Sequence, residues 1–101
     1  MLFNYKINIT SSCFEDLEQY IKSTSKYSIS LAQKIKEEFY SKIPNLQQYP
    51  RMYQTIKIIN SKEIRKIVIK KYVILYSIDE NYINILNIYP QKSNYINLIK
   101  I

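Results

Sequence analysis

The chain has 101 residues and a net charge of +7; it contains no glycine or histidine, and Cys13 is its only cysteine. This length predicts a single domain over residues 1–101, and the composition excludes glycine-rich phosphate loops, histidine general bases and any internal disulfide or cysteine zinc cluster. No apolar run approaches the roughly 20 residues of a membrane span, so we expect a cytoplasmic protein with no membrane partner. We also expect no metal or cofactor, because the chain lacks histidine and has a single cysteine.

The excess positive charge lies in the second half of the chain. Residues 1–50 hold six basic side chains against five acidic ones, giving +1, whereas residues 51–101 hold nine against three, giving +6. This asymmetry predicts a cationic face formed by the C-terminal half, which would suit an acidic or phosphate-rich partner. A surface that is merely solvated would have the same composition.

The first two predicted elements are a strand and a helix. Residues 5–10 alternate apolar with polar side chains, which is typical of a half-buried strand. Ser12 and Glu15 have the spacing of a capping box, so a helix is predicted over residues 12–23. The apolar stripe of this helix recurs at i, i+3 and i+7: Phe14, Leu17 and Ile21.

A second helix is predicted over residues 29–47, beginning near Ser28 or Ser30. Its apolar line has helical spacing: Leu31, Ile35, Phe39 and Ile43. Pro44 is expected to kink or end the helix, because proline lacks the backbone N–H that an interior position requires. Since both helices are amphipathic on one side, we expect them to pack as a hairpin against a sheet.

The rest of the chain predicts strands. Three β-rich runs cover residues 64–70, 72–78 and 82–89, the last two joined by a polar turn at residues 79–81, and residues 56–59 could add a short edge strand. Without glycine, any backbone position with positive φ is expected at Asn or Asp. The predicted fold class is α+β: a twisted antiparallel sheet packed against an N-terminal two-helix hairpin, in the order β-α-α-β-β-β, with a short tail over residues 94–101.

Several segments, taken together in this order and spacing, resemble the RelE/ParE family of toxins from bacterial toxin–antitoxin modules. They are similar to the first helix, the exit of the second helix, the two central strands, and the last strand with its C-terminal functional segment: residues 14–21, 43–53, 64–68, 72–79 and 85–95. The resemblance covers nearly the whole chain, and it implies the same sheet-on-hairpin fold that the residue patterns predict.

The resemblance also implies a function and partners. RelE-like members cut messenger RNA on the ribosome, ParE-like members poison DNA gyrase, and both kinds are silenced by an antitoxin segment that wraps the toxin. We therefore expect a cognate acidic antitoxin in a toxin–antitoxin hetero-oligomer, together with either ribosome-bound mRNA or DNA gyrase as the target. Val73 stands where RelE-like members often have arginine, and Tyr89-Pro90-Gln91-Lys92 replaces the common His/Gly and Arg.

Cleavage of RNA by its own 2′-OH needs a base, an acid and cations around the phosphate. Without histidine, lysines and tyrosines in an electropositive cleft would have to supply them. A lysine beside other cations can have its pKa lowered towards neutrality, and Lys66, Lys70 and Lys71 are close enough in sequence to act on one another in this way.

Three residues are predicted to be catalytic. Lys92 stands where the resemblance places a basic catalytic side chain, Arg65 could hold a phosphate by two parallel hydrogen bonds, and Tyr95 could stack on a base or relay a proton. The residues predicted to contact nucleic acid are basic or aromatic: Lys66, Lys70, Lys71, Tyr72 and Tyr89.

Most of these residues also have a structural interpretation. Tyr72 alternates with apolar residues on one strand face, which equally favours packing in the core. Arg65 and Lys66 should point to opposite faces of their strand, so at most one of them lines a given cleft. Lys70 and Lys71 could be protective charges at a strand end, and Tyr95 could anchor the tail.

The functional prediction is a growth-inhibiting toxin that cleaves mRNA on the ribosome, with a non-enzymatic gyrase inhibitor held nearly level. The basic, tyrosine-rich sheet favours the first, and the missing histidine and arginine favour the second. A degenerate member that keeps only its antitoxin contact is the third possibility.

Overall fold

The computed structural model describes residues 5–99. The helices and strands follow in the order β1 Lys6–Ile9, α1 Ser11–Ser25, α2 Ile29–Lys42, β2 Gln54–Ile59, β3 Lys62–Ile69, β4 Tyr72–Ile78 and β5 Tyr82–Pro90. Short 3₁₀ helices cover Ile43–Gln47 and Tyr95–Leu98. The predicted α+β class, the two helices and the three C-terminal strands are confirmed, and the segment at residues 56–59 belongs to the edge strand β2. The end of the predicted tail, residues 100–101, lies outside the described residues.

The five strands form one sheet in the order β1-β5-β4-β3-β2. β2 to β5 form an antiparallel meander, but β1 runs parallel to β5, with Lys6 opposite Tyr82 and Ile9 opposite Ile85. The expectation of a wholly antiparallel sheet is therefore wrong for β1. Side-chain alternation identifies a strand but contains nothing about the direction of a partner strand that lies far away in sequence.

The first helix is capped two residues earlier than its sequence predicts. The N-cap is Thr10, whose hydroxyl accepts from Cys13 N at 3.1 Å, so the predicted capping box at Ser12 and Glu15 is wrong. The same hydroxyl lies 2.9 Å from the carbonyl oxygens of both Ile85 and Leu86 on β5. Thr10 therefore caps the helix and binds the sheet at once, which Ser12 in the first turn does not do.

The second helix begins and ends as the sequence indicates, apart from its last turn. Ser28 is the N-cap and accepts from Leu31 N at 3.1 Å. The α-helix stops at Lys42, and Pro44 lies in the first turn of the 3₁₀ helix Ile43–Gln47. Proline is tolerated there because the first turn of a helix leaves its N–H groups without intrahelical partners.

The helical hairpin covers one face of the sheet, and the core lies between them. Leu17, Ile35 and Phe39 are buried there as predicted, but Ile21 and Leu31 are only half-buried and Phe14 is 40% exposed. The buried residues of α1 are Cys13, Leu17 and Thr24, so the buried face is rotated towards Cys13 and Thr24 and away from Phe14. Burial raises the pKa of the Cys13 thiol to about 12, with a smaller contribution from the charge of Asp16.

Strand β4 is the centre of the molecule, because all seven of its residues are buried. The Tyr76 hydroxyl donates to the carbonyl oxygen of Pro50 at 2.7 Å, which joins the strand to the segment between α2 and β2. Both faces of this strand are therefore covered by protein.

The tight turns of the glycine-free chain use residues other than those expected. Positive φ occurs at Asn60 (50°), Ser61 (66°) and Lys70 (51°), so the expectation of Asn or Asp holds for Asn60 and is wrong for the other two. The turn after β4 is confirmed, because Asp79 and Tyr82 exchange two backbone hydrogen bonds of 2.8 and 3.2 Å. Asn60 and Ser61 lie between β2 and β3, where two consecutive positive φ values suit the right-handed twist of a hairpin.

Candidate functional site

Arg65 and Lys66 lie on opposite faces of the sheet, as their adjacent positions in a strand predict. Arg65 pairs with Tyr76, whose side chain belongs to the core under the helices, and Lys66 pairs with Leu75. The two cations therefore belong to different surfaces.

Arg65 is tied into the protein by its own guanidinium. The group donates to the carboxylate of Glu63 and to the carbonyl oxygens of Tyr53 and Arg51, and its side chain is only 12% exposed. Four of the five guanidinium N–H donors can be used in these bonds. Arg65 thus fastens the segment before β2 to the sheet, and it lies away from Lys66 and Tyr95.

Glu63 is the centre of this cluster. Its carboxylate also accepts from the Arg51 guanidinium at 2.9 Å. The hydrogen bonds from Arg65 and then Arg51 hold the pKa of Glu63 below its usual range. The single carboxylate leaves one positive charge of the two guanidinium groups in excess. Arg65 is largely enclosed, whereas the side chain of Arg51 is 53% exposed and carries the accessible part of that charge.

Lys66 and Tyr95 come together on the other face of the sheet. The Lys66 ammonium donates to the Tyr95 hydroxyl at 3.4 Å, and this contact places the 3₁₀ helix Tyr95–Leu98 beside β3. The neighbouring side chains on this face are buried: Ile64, Val73, Leu75 and Ser77. Two predicted site residues, one cationic and one phenolic, thus form a contact that joins the tail to the sheet.

Lys92 lies in the exposed turn that follows β5. Its side chain makes no hydrogen bond or salt bridge with any other residue of 5–99. The structure therefore does not bring together Lys92, Arg65 and Tyr95 in one cleft, because Arg65 is on the opposite face and already bound.

Lys70 and Lys71 form the turn between β3 and β4 and have different partners. Lys70 pairs with Glu38 at 3.2 Å, whereas the Lys71 ammonium donates to the Tyr27 hydroxyl at 2.7 Å. This hydrogen bond raises the pKa of Lys71, so the expected lowering of a lysine pKa by its neighbours is wrong for this residue. The same bond is the main cause that lowers the pKa of Tyr27.

The two predicted stacking tyrosines of the strands differ in accessibility. Tyr72 is 5% exposed and packs in the core, with its ring centroid 4.5 Å from that of Tyr20. Its position matches the structural interpretation and leaves almost no ring surface for a base. Tyr89 is half-buried, and burial followed by the charge of Asp16 raises its pKa.

Asp16 and Tyr27 are two residues whose roles the sequence did not predict. The Asp16 carboxylate accepts from Ile88 N at 3.0 Å and from Asn87 Nδ2 at 3.1 Å, so it caps the edge of β5 beyond the point where β1 ends. No local pattern indicates a contact with residues so far along the chain. The only signal for Tyr27 was an aromatic residue placed between two polar ones in the turn of the helical hairpin.

Two grooves lie outside these contacts. One of about 290 Å³ runs along the hairpin between Phe14 and Ile21 of α1 and Tyr40 of α2, and its charged lining residues are Glu18, Lys22 and Lys36. The other, of about 400 Å³, is lined mainly by the segment before β2, including Tyr49 and Met52. Residues 5–99 contain no group of three or more His, Cys, Asp or Glu side chains arranged to hold a metal ion. No helix within this range is long and apolar enough to cross a membrane.

The fold is shared with two solved toxin–antitoxin proteins. A chain of the chromosomal ParDE toxin–antitoxin system of P. aeruginosa superposes with a TM-score of 0.72 and 14% identity, over 87% of this chain and 97% of the other. A chain of the archaeal RelE–RelB complex of Pyrococcus horikoshii OT3 gives a TM-score of 0.62 and 14% identity, over 88% and 97%. No curated protein is a significant match. The superpositions show that the chain shares the small α+β fold of these two chains.

The family follows from the sequence match. Residues 7–95 match the family described as the ParE toxin of the type II toxin–antitoxin system parDE. The chain therefore belongs to the ParE toxin family, and the resemblance predicted from its residues is confirmed. It is the toxin of a type II toxin–antitoxin system.

Proposed function

We propose that this toxin inhibits bacterial growth by binding DNA gyrase in the cytoplasm, without catalysing a reaction of its own. The observation that supports this most directly is the separation of Arg65 from Lys66 and Tyr95. A nuclease needs its base, its acid and its phosphate-binding cation around one phosphate. Here the arginine is bound to Glu63 and two carbonyl oxygens on the far side of the sheet from Lys66 and Tyr95.

The pKa directions point the same way. A general base is most effective when its pKa lies near the working pH, yet the pKa of Lys71 is raised by its hydrogen bond to Tyr27. Burial also raises the pKa of Tyr76, to about 12, and that of Tyr89. These groups are therefore even more completely protonated at neutral pH than the free side chains, so less of the unprotonated base is present to accept a proton.

Two measurements after induction of the toxin separate binding from cutting. Gyrase poisoning is expected to switch on an SOS reporter and to inhibit supercoiling by purified gyrase, while primer extension on abundant mRNAs shows no new 5′ ends. New 5′ ends at codon-related positions, with a silent SOS reporter, would reject gyrase as the target. A toxin that changes neither readout and does not slow growth would correspond to a degenerate member.

Ribosome-dependent mRNA cleavage is the second candidate, and the contact between Lys66 and Tyr95 favours it. A cation and a phenol 3.4 Å apart on the sheet face opposite the helices could hold a phosphate and stack a base. This candidate predicts cleavage that disappears in a Tyr95→Ala variant and requires the ribosome.

The proposed partner is an acidic antitoxin segment that folds as it binds. The groove of the hairpin offers apolar anchor sites at Phe14 and Tyr40, which are 40% and 47% exposed, and Lys22 and Lys36 lie beside them. Because Arg65 is already bound to Glu63, carboxylates of the antitoxin would meet lysines of the surface instead. Ordering a disordered segment costs free energy, so binding should depend on several anchors.

Co-expression with the acidic protein of a neighbouring gene tests this pairing. A stable complex and relief of growth inhibition are expected, and Phe14→Ala combined with Tyr40→Ala should weaken the complex. A toxin that stays free and active in the presence of that protein would contradict the pairing.

A further inference from the structure

We propose that the end of the molecule formed by Tyr27 and by the turns at Lys70–Lys71 and Gln91–Lys92 binds single-stranded nucleic acid. In this site the ammonium of Lys71 contacts a phosphate, and the ring of Tyr27 stacks on a base. The proposal goes beyond gyrase binding and does not depend on it. It also concerns a different surface from the contact between Lys66 and Tyr95.

Three separate parts of the chain meet at this end. The Lys71 ammonium reaches across to the turn between the helices and donates to the Tyr27 hydroxyl at 2.7 Å. Gln91 N donates to the Lys71 carbonyl oxygen at 2.8 Å, and the Gln91 side chain donates to the Lys70 carbonyl oxygen at 2.6 Å. These bonds hold the turn that contains Lys92 directly beside the turn that contains Lys70 and Lys71.

The charge at this end is positive. Lys71 and Lys92 are exposed and make no salt bridge with residues 5–99, and Lys26 lies next to Tyr27 in sequence. Lys70, in the same turn as Lys71, pairs with Glu38 at 3.2 Å, and this carboxylate also pairs with Lys42 at 3.3 Å. Lysine side chains that have no carboxylate partner favour binding of a phosphate backbone.

The ring of Tyr27 gives this site a stacking surface, which a plain basic patch lacks. Tyr27 is 63% exposed, and Lys71 lies 5.3 Å from its ring centroid and 5.9 Å from that of Tyr72. An ammonium has three donors, so Lys71 can keep its bond to Tyr27 and still donate to a phosphate oxygen. A fixed aromatic ring beside a fixed cation is the pairing that single strands need, because every unpaired base offers a face for stacking. An acidic protein segment would use the lysines without needing the ring.

The test is fluorescence anisotropy of labelled 12-nucleotide RNA and DNA single strands with the full-length toxin, over a series of salt concentrations. The variants are Tyr27→Leu, Tyr27→Phe and Lys71→Ala, with Lys34→Ala as the matched control. Lys34 is an exposed lysine within α2 and belongs to none of the three turns, and its removal changes the net charge by the same amount. Thermal melting of each variant checks that the fold is kept.

We expect Tyr27→Leu to weaken binding by about fivefold or more, whereas Tyr27→Phe retains the ring and most of the affinity. Lys71→Ala should reduce the slope of log K against log salt by about 0.7, the value for one phosphate contact on a single strand. Lys34→Ala should leave this slope unchanged. Either RNA or DNA that binds in this way supports the site, and the difference between them measures any contribution of the 2′-OH.

Three outcomes would overturn the proposal. The first is a wild-type toxin that does not bind single strands even at low salt. The second is an equal loss of affinity in Lys71→Ala and Lys34→Ala, which would reduce the site to general charge. The third is binding that ignores Tyr27→Leu and is equally strong for polyglutamate, which would assign the patch to an acidic protein. Failure of gyrase inhibition would leave all these measurements unaffected.

Discussion

Arg65 shows how far a single residue could be predicted from this sequence. Strand parity was enough to place Arg65 and Lys66 on opposite faces, because side chains alternate along any strand. Strand parity could not show which of the two side chains faces an accessible surface. That depended on Glu63 and on the carbonyl oxygens of Arg51 and Tyr53, which reach Arg65 only once the segment before β2 has folded against the sheet.

The pair of Glu63 and Arg65 gives the first prediction. Glu63→Gln should lower the free energy of unfolding at pH 7 by about 1–2 kcal/mol, because it leaves the largely buried Arg65 without its charged acceptor. Urea unfolding at several pH values measures this loss. The pKa of Glu63 is lowered in the folded state, so its contribution is present above the unfolded pKa and is lost as pH falls through the folded one.

The difference between Glu63→Gln and the wild type should therefore shrink at acid pH. Glu80→Gln is the matched control, because Glu80 is exposed in the turn between β4 and β5. It should change the free energy of unfolding by less than about 0.5 kcal/mol. Equal effects of the two substitutions at pH 7 would show that Glu63 has no special role.

Cys13 gives a second prediction at the residue scale. The thiol is fully buried and its pKa is raised to about 12, so at pH 8 almost no thiolate is present or accessible. Alkylation of the native protein by iodoacetamide should therefore proceed only through opening of the fold, and its rate should rise steeply with low concentrations of urea. Rapid alkylation without denaturant would mean that α1 does not pack as described.

At the scale of whole elements, the sequence predicted which helices and strands exist better than it predicted how they are oriented. The 3.6-residue period located both helices, and Pro44 located the end of α2, because these signals are local. The rotation of α1 and the parallel direction of β1 were not predictable in the same way. Both are set by contacts of Thr10 and Asp16 with β5, more than 70 residues further along the chain.

Thr10 and Ser12 provide the test at this scale. Thr10→Ala should lower the free energy of unfolding by about 1–2 kcal/mol, because it removes the N-cap of α1 and the bonds to β5 together. Ser12→Ala removes only an exposed hydrogen bond with Asn87 and should cost less than about 0.5 kcal/mol. Thr10→Ser retains the hydroxyl and should be close to the wild type. A larger loss for Ser12→Ala in chemical denaturation would restore the cap predicted from sequence.

At the scale of the whole molecule, the candidate site could be predicted only in part. The composition indicated lysines and tyrosines on the second half of the chain, and the structure places Lys66 against Tyr95 and Lys71 against Tyr27. Tyr27 lies in the first half of the chain, where acidic and basic residues nearly balance, so the charge asymmetry did not indicate that it belongs to a site. The order of the strands in the sheet decides which side chains meet, and that order is a property of the complete fold.

Binding and catalysis make different demands on Lys66, which gives the last prediction. If Lys66 were a general base, Lys66→Arg would keep the positive charge but remove a proton acceptor, because an arginine stays protonated at any accessible pH. Loss of one catalytic group typically costs about a hundredfold in rate. If the toxin acts by binding, Lys66→Arg should be fully toxic.

Lys66→Ala should then change the inducer dose for growth arrest only a few-fold, since a single half-buried charge rarely dominates an interface. Growth curves at matched toxin levels, with the SOS reporter read in parallel, measure both effects. Abolished toxicity in Lys66→Arg at normal expression and melting temperature would assign Lys66 to proton transfer and make mRNA cleavage the better function. Retained SOS induction in both variants would exclude Lys66 as a catalytic lysine on this face of the sheet.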